Sequence, residues 1–574
     1  MRHMNGYLER GLMLSVPRTA EPPVDNDWVE RMRFAAHTEV APFGNGGATW
    51  NFPDSLVTTK GAALTSLIWR KDSGQSPEQA VAEPVDQSGV AYLPPFARVQ
   101  LDARGGVSGS VDWLGFRHVF VREAPGATLL STSARALHHA SPDPGFDEGT
   151  LALQSQLGWQ LDGATLFSGV RKLEGSFRIT ADGTVHESPP PALEQVGPAD
   201  SAREAAALLR RIVSAYLEEV PEAELQLTGG IDSRIILAAI PPSQRRGLRS
   251  MTLRVPSGLD APLAARIANR EGLRHREKDF SAIDELSPQE AHDTCIVAAR
   301  RVDSAADPIA LAAVDLAEGG DPSPRLVGLG GEVGRGFYYF GPGWLDRHTA
   351  GRVRRLAQWR LFANESVPDS MLSPEFSEWA RDEALRRTQV AFRESATGWA
   401  NATDHFYLRQ RMRRWAGSLA STPAVERQAF NPMLDARYLA LVTSLPPAEK
   451  RNSRFLARLM CELDPELARL PMDGRPAPAA FASRSLSSRF QQVAARAPKL
   501  AKKVRQRITR SALPPEGGSV LAAKLVEHWR GSPEVLQPLA SLPYIDSRWM
   551  EDVVSGRRQP SVSACSLMVS LLAV

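Results

Sequence analysis

Hydrophobic and polar positions follow two different patterns along this chain, and the change falls near residue 190. Before it, short apolar runs are separated by Gly, Pro and Asp, a pattern typical of β-strands joined by turns. Proline recurs over residues 188–200, which indicates a linker between domains. The pattern therefore predicts a mostly β domain over residues 1–187 and a second domain over residues 201–574.

After the linker, apolar residues recur with the helical period. Ser201 begins a segment whose apolar positions share one face, and Glu204 stands at the capping-box spacing from it. The segments that follow are a strand at 224–227, a helix that includes 235–240, a strand at 250–255 and a helix at 260–271. This βαβα order predicts a parallel sheet with helices on both faces.

The rest of the chain has a mostly helical pattern, over residues 287–316 and 353–442. Ser287, Pro288 and Glu290 supply the cap, the first-turn proline and the capping-box acid of one predicted helix. The last eleven residues, 564–574, are apolar but too few to cross a membrane, so they predict a buried terminal strand or helix.

Composition adds few constraints. At 574 residues the chain is too long for one core, and a net charge of +3 gives no sign of polyelectrolyte binding. Three widely spaced cysteines form neither a disulfide framework nor a zinc pattern. The N-terminus lacks a signal-peptide pattern, and no stretch approaches the ~20 apolar residues of a membrane span. We expect a cytoplasmic protein without a transmembrane segment.

Residues 474–515 contain ten Lys or Arg and no acid, and apolar residues recur at helical spacing within 496–510. This pattern predicts a basic amphipathic helix. It is either a solvated face docked on the core or a landing site for an acidic peptide, a membrane surface or RNA. The scarcity of aromatic residues for base stacking favours the first interpretation, and no nucleic-acid partner is expected.

The clearest chemical signal lies where the predicted strand at 224–227 meets the next helix, in Thr228-Gly229-Gly230-Ile-Asp232-Ser233. Two glycines let backbone N–H groups approach a phosphate, and the helix N-terminus favours negative charge. Asp232 can hold a magnesium ion that bridges phosphates, and the Ser233 hydroxyl can donate to the same group. The alternative is an ordinary turn before a helix, but the full string after a strand favours a nucleotide site.

This string resembles the pyrophosphate loop of ATP pyrophosphatases that form acyl-adenylates, with Thr228 in place of the usual Ser. The later motifs also fit one family: Thr252-Leu253 with Asp260 and His275, then Gly328-Leu-Gly-Gly-Glu332, then Asn431-Pro-Met-Leu-Asp435. Over about residues 90–475 the chain resembles the asparagine synthetase superfamily, which includes β-lactam synthetases and lasso-peptide cyclases.

The resemblance implies a multidomain α/β protein. Residues 1–187 would form an Ntn-like β-sandwich, and residues 201–574 an ATP-dependent ligase domain with an adenine-nucleotide α-hydrolase-like parallel sheet and many helices. The family's N-terminal domain hydrolyses glutamine with a cysteine directly after the initiator Met, where this chain has Arg2. We therefore expect a degenerate glutaminase domain and an amine carried by the substrate.

The resemblance also implies roles for particular residues. Asp232 and Glu332 would hold Mg²⁺ on ATP, and Glu332 would also take part in catalysis. The nucleotide would be bound by Leu227, Thr228, Gly229, Gly230, Asp232, Ser233, Leu253 and Gly330, with the two leucines against adenine. Leu329 stands where the family usually has Glu, which suggests a different acceptor amine.

A cation should stabilise the reacting centre, and Arg475 in Leu470-Pro-Met-Asp-Gly-Arg475 stands where the family often has Lys. Lys450 is a weaker candidate, expected to be solvated at a helix N-terminus. Asp260 could equally be a structural N-cap.

Two further segments each have two open interpretations. Gly334, Arg335 and Gly336 with the following aromatic residues could line an acceptor pocket. His405, Tyr407 and Trp415 predict either core packing with surface arginines or a substrate pocket.

The resemblance implies an ATP- and Mg²⁺-dependent ligase that adenylates a carboxylate and lets a substrate amine attack it, releasing AMP and pyrophosphate. The first candidate function is macrolactam formation on a peptide, as in a lasso-peptide cyclase. Such an enzyme would have a leader-peptide-binding protein or a protease as a possible partner. A small-molecule amide or β-lactam synthetase is the first alternative. A catalytically inactive nucleotide-binding partner protein is the second.

Overall fold

The computed structural model describes most of the chain in fifteen stretches. These are residues 11–18, 40–42, 47–50, 62–66, 93–101, 106–124, 126–190, 192–193, 200–255, 258–339, 346–393, 398–424, 427–472, 476–482 and 517–574. The predicted basic helix at 496–510 lies outside them, and so do most residues of the predicted linker.

The N-terminal part consists of two antiparallel sheets. Their strands are β1 Gly11–Pro17, β2 Val40–Pro42, β3 Gly47–Trp50, β4 Ala62–Ser66, β5 Ala97–Leu101, β6 Val107–Val111, β7 Phe120–Ala124, β8 Ala127–Ser131, β9 Val170–Lys172, β10 Ser176–Ile179 and β11 Val185–Ser188. The strand orders are β2-β3-β1-β8-β7-β9 and β11-β10-β6-β5-β4. Leu12 and Leu14 of the first sheet share one buried cluster with Val99 and Val107 of the second, so the sheets pack face to face as a sandwich.

The C-terminal part is built on a five-stranded parallel sheet of order β14-β13-β12-β15-β16. Its strands are β12 Glu224–Gln226, β13 Arg249–Leu253, β14 Arg274–Lys278, β15 Arg325–Leu326 and β16 Ala429–Phe430. β12 comes first in sequence but lies in the middle, so the strand order reverses between β12 and β15. In open α/β sheets, ligands bind outside the carboxyl ends of the strands at such a reversal.

Helices account for much of the remaining described chain. The α-helices are Ala134–His139, Glu148–Leu157, Ser201–Glu219, Ile231–Ala239, Pro242–Arg245, Asp260–Glu271, Ser281–Asp284, Pro288–Arg301, Pro308–Glu318, Ala350–Leu356, Pro374–Arg393, Trp399–Phe406, Gly417–Ala424, Ala436–Ser444, Pro447–Lys450, Arg454–Leu463, Pro465–Ala468, Ala479–Ala482, Gly518–Gly531, Gln537–Ala540, Ser547–Val554 and Val562–Leu572. Short 3₁₀ turns occupy Gly331–Arg335, Asp369–Met371, Pro432–Leu434, Arg451–Ser453 and Pro533–Leu536, and π-helical segments occupy Ala357–Leu361 and Tyr407–Ala416.

This architecture confirms the predicted fold class of two antiparallel sheets followed by a parallel sheet with many helices. The capping box at Ser287 forms as predicted, with the Ser287 side chain accepting from the Glu290 N–H and Glu290 accepting in return. The capping box predicted at Ser201 is wrong, because Asp200 precedes that helix at φ 55° and no side chain caps it. The terminal segment forms the helix Val562–Leu572, largely buried as expected.

The N-terminal region is less purely β than its sequence predicts, since it contains the helix Glu148–Leu157. All residues of this helix from Gly149 to Leu157 are buried. A helix buried on every side has no polar stripe, so its sequence carries no helical period to detect.

Among the described residues, no helix combines the length and the hydropathy needed to cross a bilayer.

Arg245 holds three parts of the parallel-sheet domain together. Its side chain is 2% exposed, and its Nη1 lies 2.7 Å from the Glu271 carboxylate and 2.6 Å from the Asp464 carboxylate. Its Nε donates to the carbonyl of Ile240, at the end of the helix that follows β12.

We expect Arg245→Met to lower the free energy of unfolding by about 3 kcal/mol, because it leaves two carboxylates without their buried cation. Arg246→Met, at the exposed neighbouring position, should change it by no more than about 0.5 kcal/mol. Urea unfolding followed by circular dichroism measures both, and equal stability of the two variants would contradict this role for Arg245.

Candidate nucleotide-binding site

The loops that follow β12 and β15 form the centre of the candidate site. These strands are direct neighbours in the sheet, so their loops leave the same edge on either side of the reversal in strand order. Residues 228–230 follow β12, and residues 328–332 follow β15. The topology therefore brings together two motifs that are about 100 residues apart in sequence.

The turn after β12 is fixed by its own hydroxyls. The Thr228 N–H donates to Oγ of Ser233 at 3.0 Å, and the Gly230 N–H donates to Oγ1 of Thr228 at 3.1 Å. The two hydroxyl oxygens lie 3.0 Å apart. Helix Ile231–Ala239 begins directly after Gly230, and no side chain caps it. Its first N–H groups thus remain available to an anionic ligand.

Glycine is required where the two loops meet. A Cβ at Gly328 would lie 2.8 Å from the backbone of Asp232 and Ser233, and a Cβ at Gly331 would lie 2.5 Å from Cγ of Asp232. Gly330 has φ 109° and packs against the Met433 carbonyl of the loop after β16. These contacts bring the backbone of residues 328–331 directly against Asp232.

Asp232 and Glu332 lie on opposite sides of one arginine. Nη1 of Arg335 is 3.4 Å from Oδ2 of Asp232, and Nη2 donates to Oε1 of Glu332 at 2.8 Å. Burial acts to lower the pKa of Arg335, but the two carboxylates outweigh it and raise that pKa. Both predicted metal ligands therefore share one site.

The donor set fits a magnesium ion. Oε2 of Glu332 is buried and accepts no hydrogen bond from any residue in the described ranges, although such an atom normally has a partner. Two carboxylates at a phosphate-binding turn are typical of Mg²⁺ sites, in which phosphates and water supply the other ligands. Within those ranges no third acid, His or Cys joins them to complete a protein-only metal site.

Tyr438 is a component of the site that sequence reasoning missed. It lies in the helix Ala436–Ser444, is fully buried, and its hydroxyl has no hydrogen-bond partner among the described residues. Burial, with the charges of Asp232 and Glu332, raises the pKa of Tyr438. The sequence signal was its place just after the Asn431–Asp435 motif, at the carboxyl end of β16.

Asp260 does not act as the N-cap of its helix. Leu259 occupies the cap position and no side chain caps the helix, so this interpretation is wrong. The Asp260 side chain instead lies beside the glycine turn, where a Cβ at Gly229 would come within 2.6 Å of Oδ1.

The leucines predicted to contact adenine occupy the carboxyl ends of adjacent strands. Leu227 follows β12 and is fully buried, and Leu253 ends β13 and is half-buried. The Leu227 N–H donates to the Met251 carbonyl, so the two strands stay paired up to the turn. Leu329, in the loop after β15, packs at the edge of the main core.

Arg475 lies outside the described residues, but the segment before it is tied to the site. Arg234, in the first turn of the helix after Gly230, is fully buried and donates to the carbonyls of Leu470 and Pro471. It also donates to the Gly229 carbonyl at 3.0 Å. The geometry of the glycine turn and the position of residue 471 therefore depend on the same guanidinium.

Lys450 is not solvated as expected. It is fully buried, and its Nζ donates to Oδ2 of Asp404 at 2.6 Å. Tyr339 donates to the same oxygen at 2.8 Å. Burial raises the pKa of Asp404, and the Lys450 charge opposes that rise. The short distance between lysine and carboxylate could not be found from sequence, because the two residues are 46 positions apart.

Arginines and aromatic rings line the region beyond Gly336. Arg360 lies over Phe337 and Tyr338, with its guanidinium carbon 4.6 Å and 5.2 Å from the ring centres. Arg411 lies 4.4 Å from the ring centre of Trp415 and 3.5 Å from the Glu365 carboxylate. The expectation that the arginines of this helix lie on the surface is wrong for Arg413 and Arg414, which are buried at the boundary with the sandwich.

The fold is that of an α/β protein, and the site lies where such proteins bind ligands. A glycine turn and an uncapped helix N-terminus, with a pair of carboxylates beside them, have the chemistry expected of a nucleotide site.

A family model described as asparagine synthase matches residues 204–534, which is more than half of the chain, and the chain belongs to this family. The match covers both loops of the site. Membership supports an ATP-dependent ligase that forms amide bonds, and the family typically uses ATP with Mg²⁺. A search of curated proteins finds no match.

We expect Gly331→Ala to weaken the binding of magnesium and an ATP analogue at least about tenfold, because the new methyl group would displace the Asp232 carboxylate. Gly351→Ala is a matched control, since a Cβ there meets nothing within 4 Å. Isothermal titration with α,β-methylene-ATP and Mg²⁺ measures both. Equal affinities would mean that Asp232 is not part of the binding site.

Proposed function

We propose that this protein is an ATP-dependent amide ligase that adenylates a substrate carboxylate at the Asp232–Glu332 site and closes a macrolactam on a peptide. The observation that carries the proposal is the convergence of these two carboxylates beside the Thr228–Gly230 turn. Two acids, an uncapped helix N-terminus and a glycine turn suit a triphosphate with a divalent cation.

In this proposal each part of the site has one task. The N–H group of Gly229 and the first N–H groups of the helix after Gly230 bind the pyrophosphate portion. The hydroxyls of Thr228 and Ser233 keep the turn in shape, with Thr228 accepting from the Gly230 N–H. Gly330 brings its loop against the same phosphates. Leu253, which is half-buried, packs against adenine, and the fully buried Leu227 supports that surface from within the core. Asp232 and Glu332 would hold Mg²⁺, which neutralises charge on the departing pyrophosphate when it is bound.

The reaction would have two stages. The substrate carboxylate attacks the α-phosphorus of ATP, and pyrophosphate leaves. A substrate amine then attacks the activated carbonyl carbon, the amide bond forms, and AMP leaves. Glu332 keeps the cation in place through the first stage, and Arg475 would add positive charge at the reacting centre.

The chemistry of the cysteines favours an amine that the substrate itself carries. Burial raises the pKa of Cys295 and Cys461, and it raises that of Cys565 to about 12. A nucleophilic cysteine needs a lowered pKa and access to substrate, so none of the three is suited to hydrolyse glutamine. The sandwich domain proposed for residues 1–187 then serves as a scaffold.

The side chains beyond Gly336 favour a peptide substrate over a small one. We call Phe337, Tyr338, Arg360 and Arg411 the arginine–aromatic wall. Phe337, Arg360 and Arg411 are partly exposed and stack on one another close to the Glu332 loop, so they could stack with side chains of a peptide and pair with its carboxylates. Leu329, where the family usually has Glu, puts an apolar side chain in place of a carboxylate at the proposed acceptor position. The alternative is a small-molecule amide or β-lactam synthetase, whose substrate would contact only the residues of this wall that are nearest to Glu332.

Asp232→Ala should reduce pyrophosphate release by at least about a hundredfold, because losing a metal ligand should cost more than the roughly 10- to 100-fold loss seen when its supporting groups change. Asp382→Ala, at an exposed helical position, is the control and should retain activity. Coupled pyrophosphate detection with a candidate carboxylate measures turnover, and circular dichroism checks the fold. Full activity of Asp232→Ala would overturn the site assignment.

The substrate assignment has its own test. A linear peptide with a free N-terminal amine and an internal Asp or Glu should lose one water in the presence of ATP and Mg²⁺, and an N-acetylated copy should not. Mass spectrometry with fragmentation detects the ring. Binding of α,β-methylene-ATP, combined with no pyrophosphate release from ATP for any peptide or small acid tested, would support an inactive nucleotide-binding partner instead.

A further inference from the structure

Arg335 contacts both carboxylates, each through a different terminal nitrogen. Its Nη2 donates to Oε1 of Glu332 at 2.8 Å, and its Nη1 lies 3.4 Å from Oδ2 of Asp232. Oε2 of Glu332 is the atom left over, buried and without a hydrogen bond from any described residue. Since the two oxygens of a carboxylate are rigidly related, a contact that fixes Oε1 also fixes the direction in which Oε2 points.

The backbone that carries Arg335 is itself held firmly. A Cβ at Gly334 would lie 2.8 Å from the Leu456 side chain, and a Cβ at Gly336 would lie 2.5 Å from the ring of Tyr339. Gly336 also has φ 61°, which favours glycine. The turn Gly331–Arg335 is therefore tightly packed on both sides. This packing restrains the backbone of Arg335, and with it the position of the guanidinium beside the two carboxylates.

A planar guanidinium can hold two carboxylates at a set separation, which an ammonium group cannot do as well. Groups that hydrogen-bond to metal ligands orient them, and their loss typically costs about 10- to 100-fold in metal affinity. Arg335 has the contacts of such a group, although it is positively charged and lies near the place of a cation.

We propose that Arg335 is a positioning residue that holds Glu332 and Asp232 by one oxygen each, so that Oε2 of Glu332 is presented to the divalent cation. This inference rests on the proposed function, because it takes the two carboxylates as the cation ligands. The opposing possibility is that Arg335 is a placeholder which occupies the cation's own position and must leave. The two differ in the sign of their effect on metal affinity.

The experiment measures binding of Mn²⁺ by electron paramagnetic resonance, with and without α,β-methylene-ATP, in wild type, Arg335→Gln and Arg335→Lys. Positioning predicts that Arg335→Gln weakens Mn²⁺ binding about 10- to 100-fold. Arg335→Lys keeps the charge but loses the planar fork, so it should fall between, at least about threefold weaker than wild type. Arg355→Gln, at an exposed position of the helix Ala350–Leu356, should bind as wild type does.

Unchanged or tighter Mn²⁺ binding in Arg335→Gln would overturn the inference, because removing a placeholder or a mere positive charge favours a divalent cation. A wild-type affinity in Arg335→Lys would overturn it as well, since charge alone would then suffice. If Arg335→Gln fails to fold in thermal unfolding, the lysine variant decides by the same criterion. Failure of the wild type to bind Mn²⁺ with the analogue would reject the proposed function together with this inference, whereas wild-type binding that neither substitution changes would reject the inference alone.

Discussion

The close approach of two backbone turns at the centre of the parallel sheet is the constraint on which the rest of the site depends. Gly328 and Gly331 allow the loop after β15 to lie against the backbone and carboxylate of Asp232 at distances that no side chain permits. This approach is possible because β12 and β15 are neighbours whose carboxyl ends meet at one edge. Without it, Glu332 and Asp232 would lie on their separate loops without sharing one site.

The close approach of the two loops also determines which charged groups the site contains. Two carboxylates this close require a cation, and in this structure Arg335 supplies it from the turn that also carries Glu332. The buried hydroxyl of Tyr438 and the buried Oε2 of Glu332 add polar atoms without partners among the described residues, which is costly unless a ligand satisfies them. The site is thus arranged for a ligand that brings both positive charge and oxygen atoms.

The sandwich keeps a structural role even without a reactive thiol. Oγ of Ser421 donates to the Phe116 carbonyl, and Arg414 donates to the Gln160 side chain and the Ala164 carbonyl. These bonds join the sandwich to the segment Tyr407–Ala416 and the helix after it. The same segment carries Arg411 of the arginine–aromatic wall. Loss of the sandwich would therefore also disturb the position of Arg411 in the proposed substrate surface.

The sequence alone determined the elements whose signals are local. The helices Asp260–Glu271 and Pro288–Arg301, the strand and glycine turn at 224–230, and the order of parallel strands and helices all follow from apolar period and capping residues. Asp232 was predicted from the glycine string that follows the strand, and Glu332 from the resemblance to the asparagine synthetase superfamily. Only the tertiary structure decided that Lys450 is buried on Asp404, that Tyr438 is buried where the charges of both carboxylates act on it, and that Arg335 joins those carboxylates. These three features depend on contacts between residues far apart in the chain or on the direction of a side chain. The periodicity of apolar residues in the sequence reports neither.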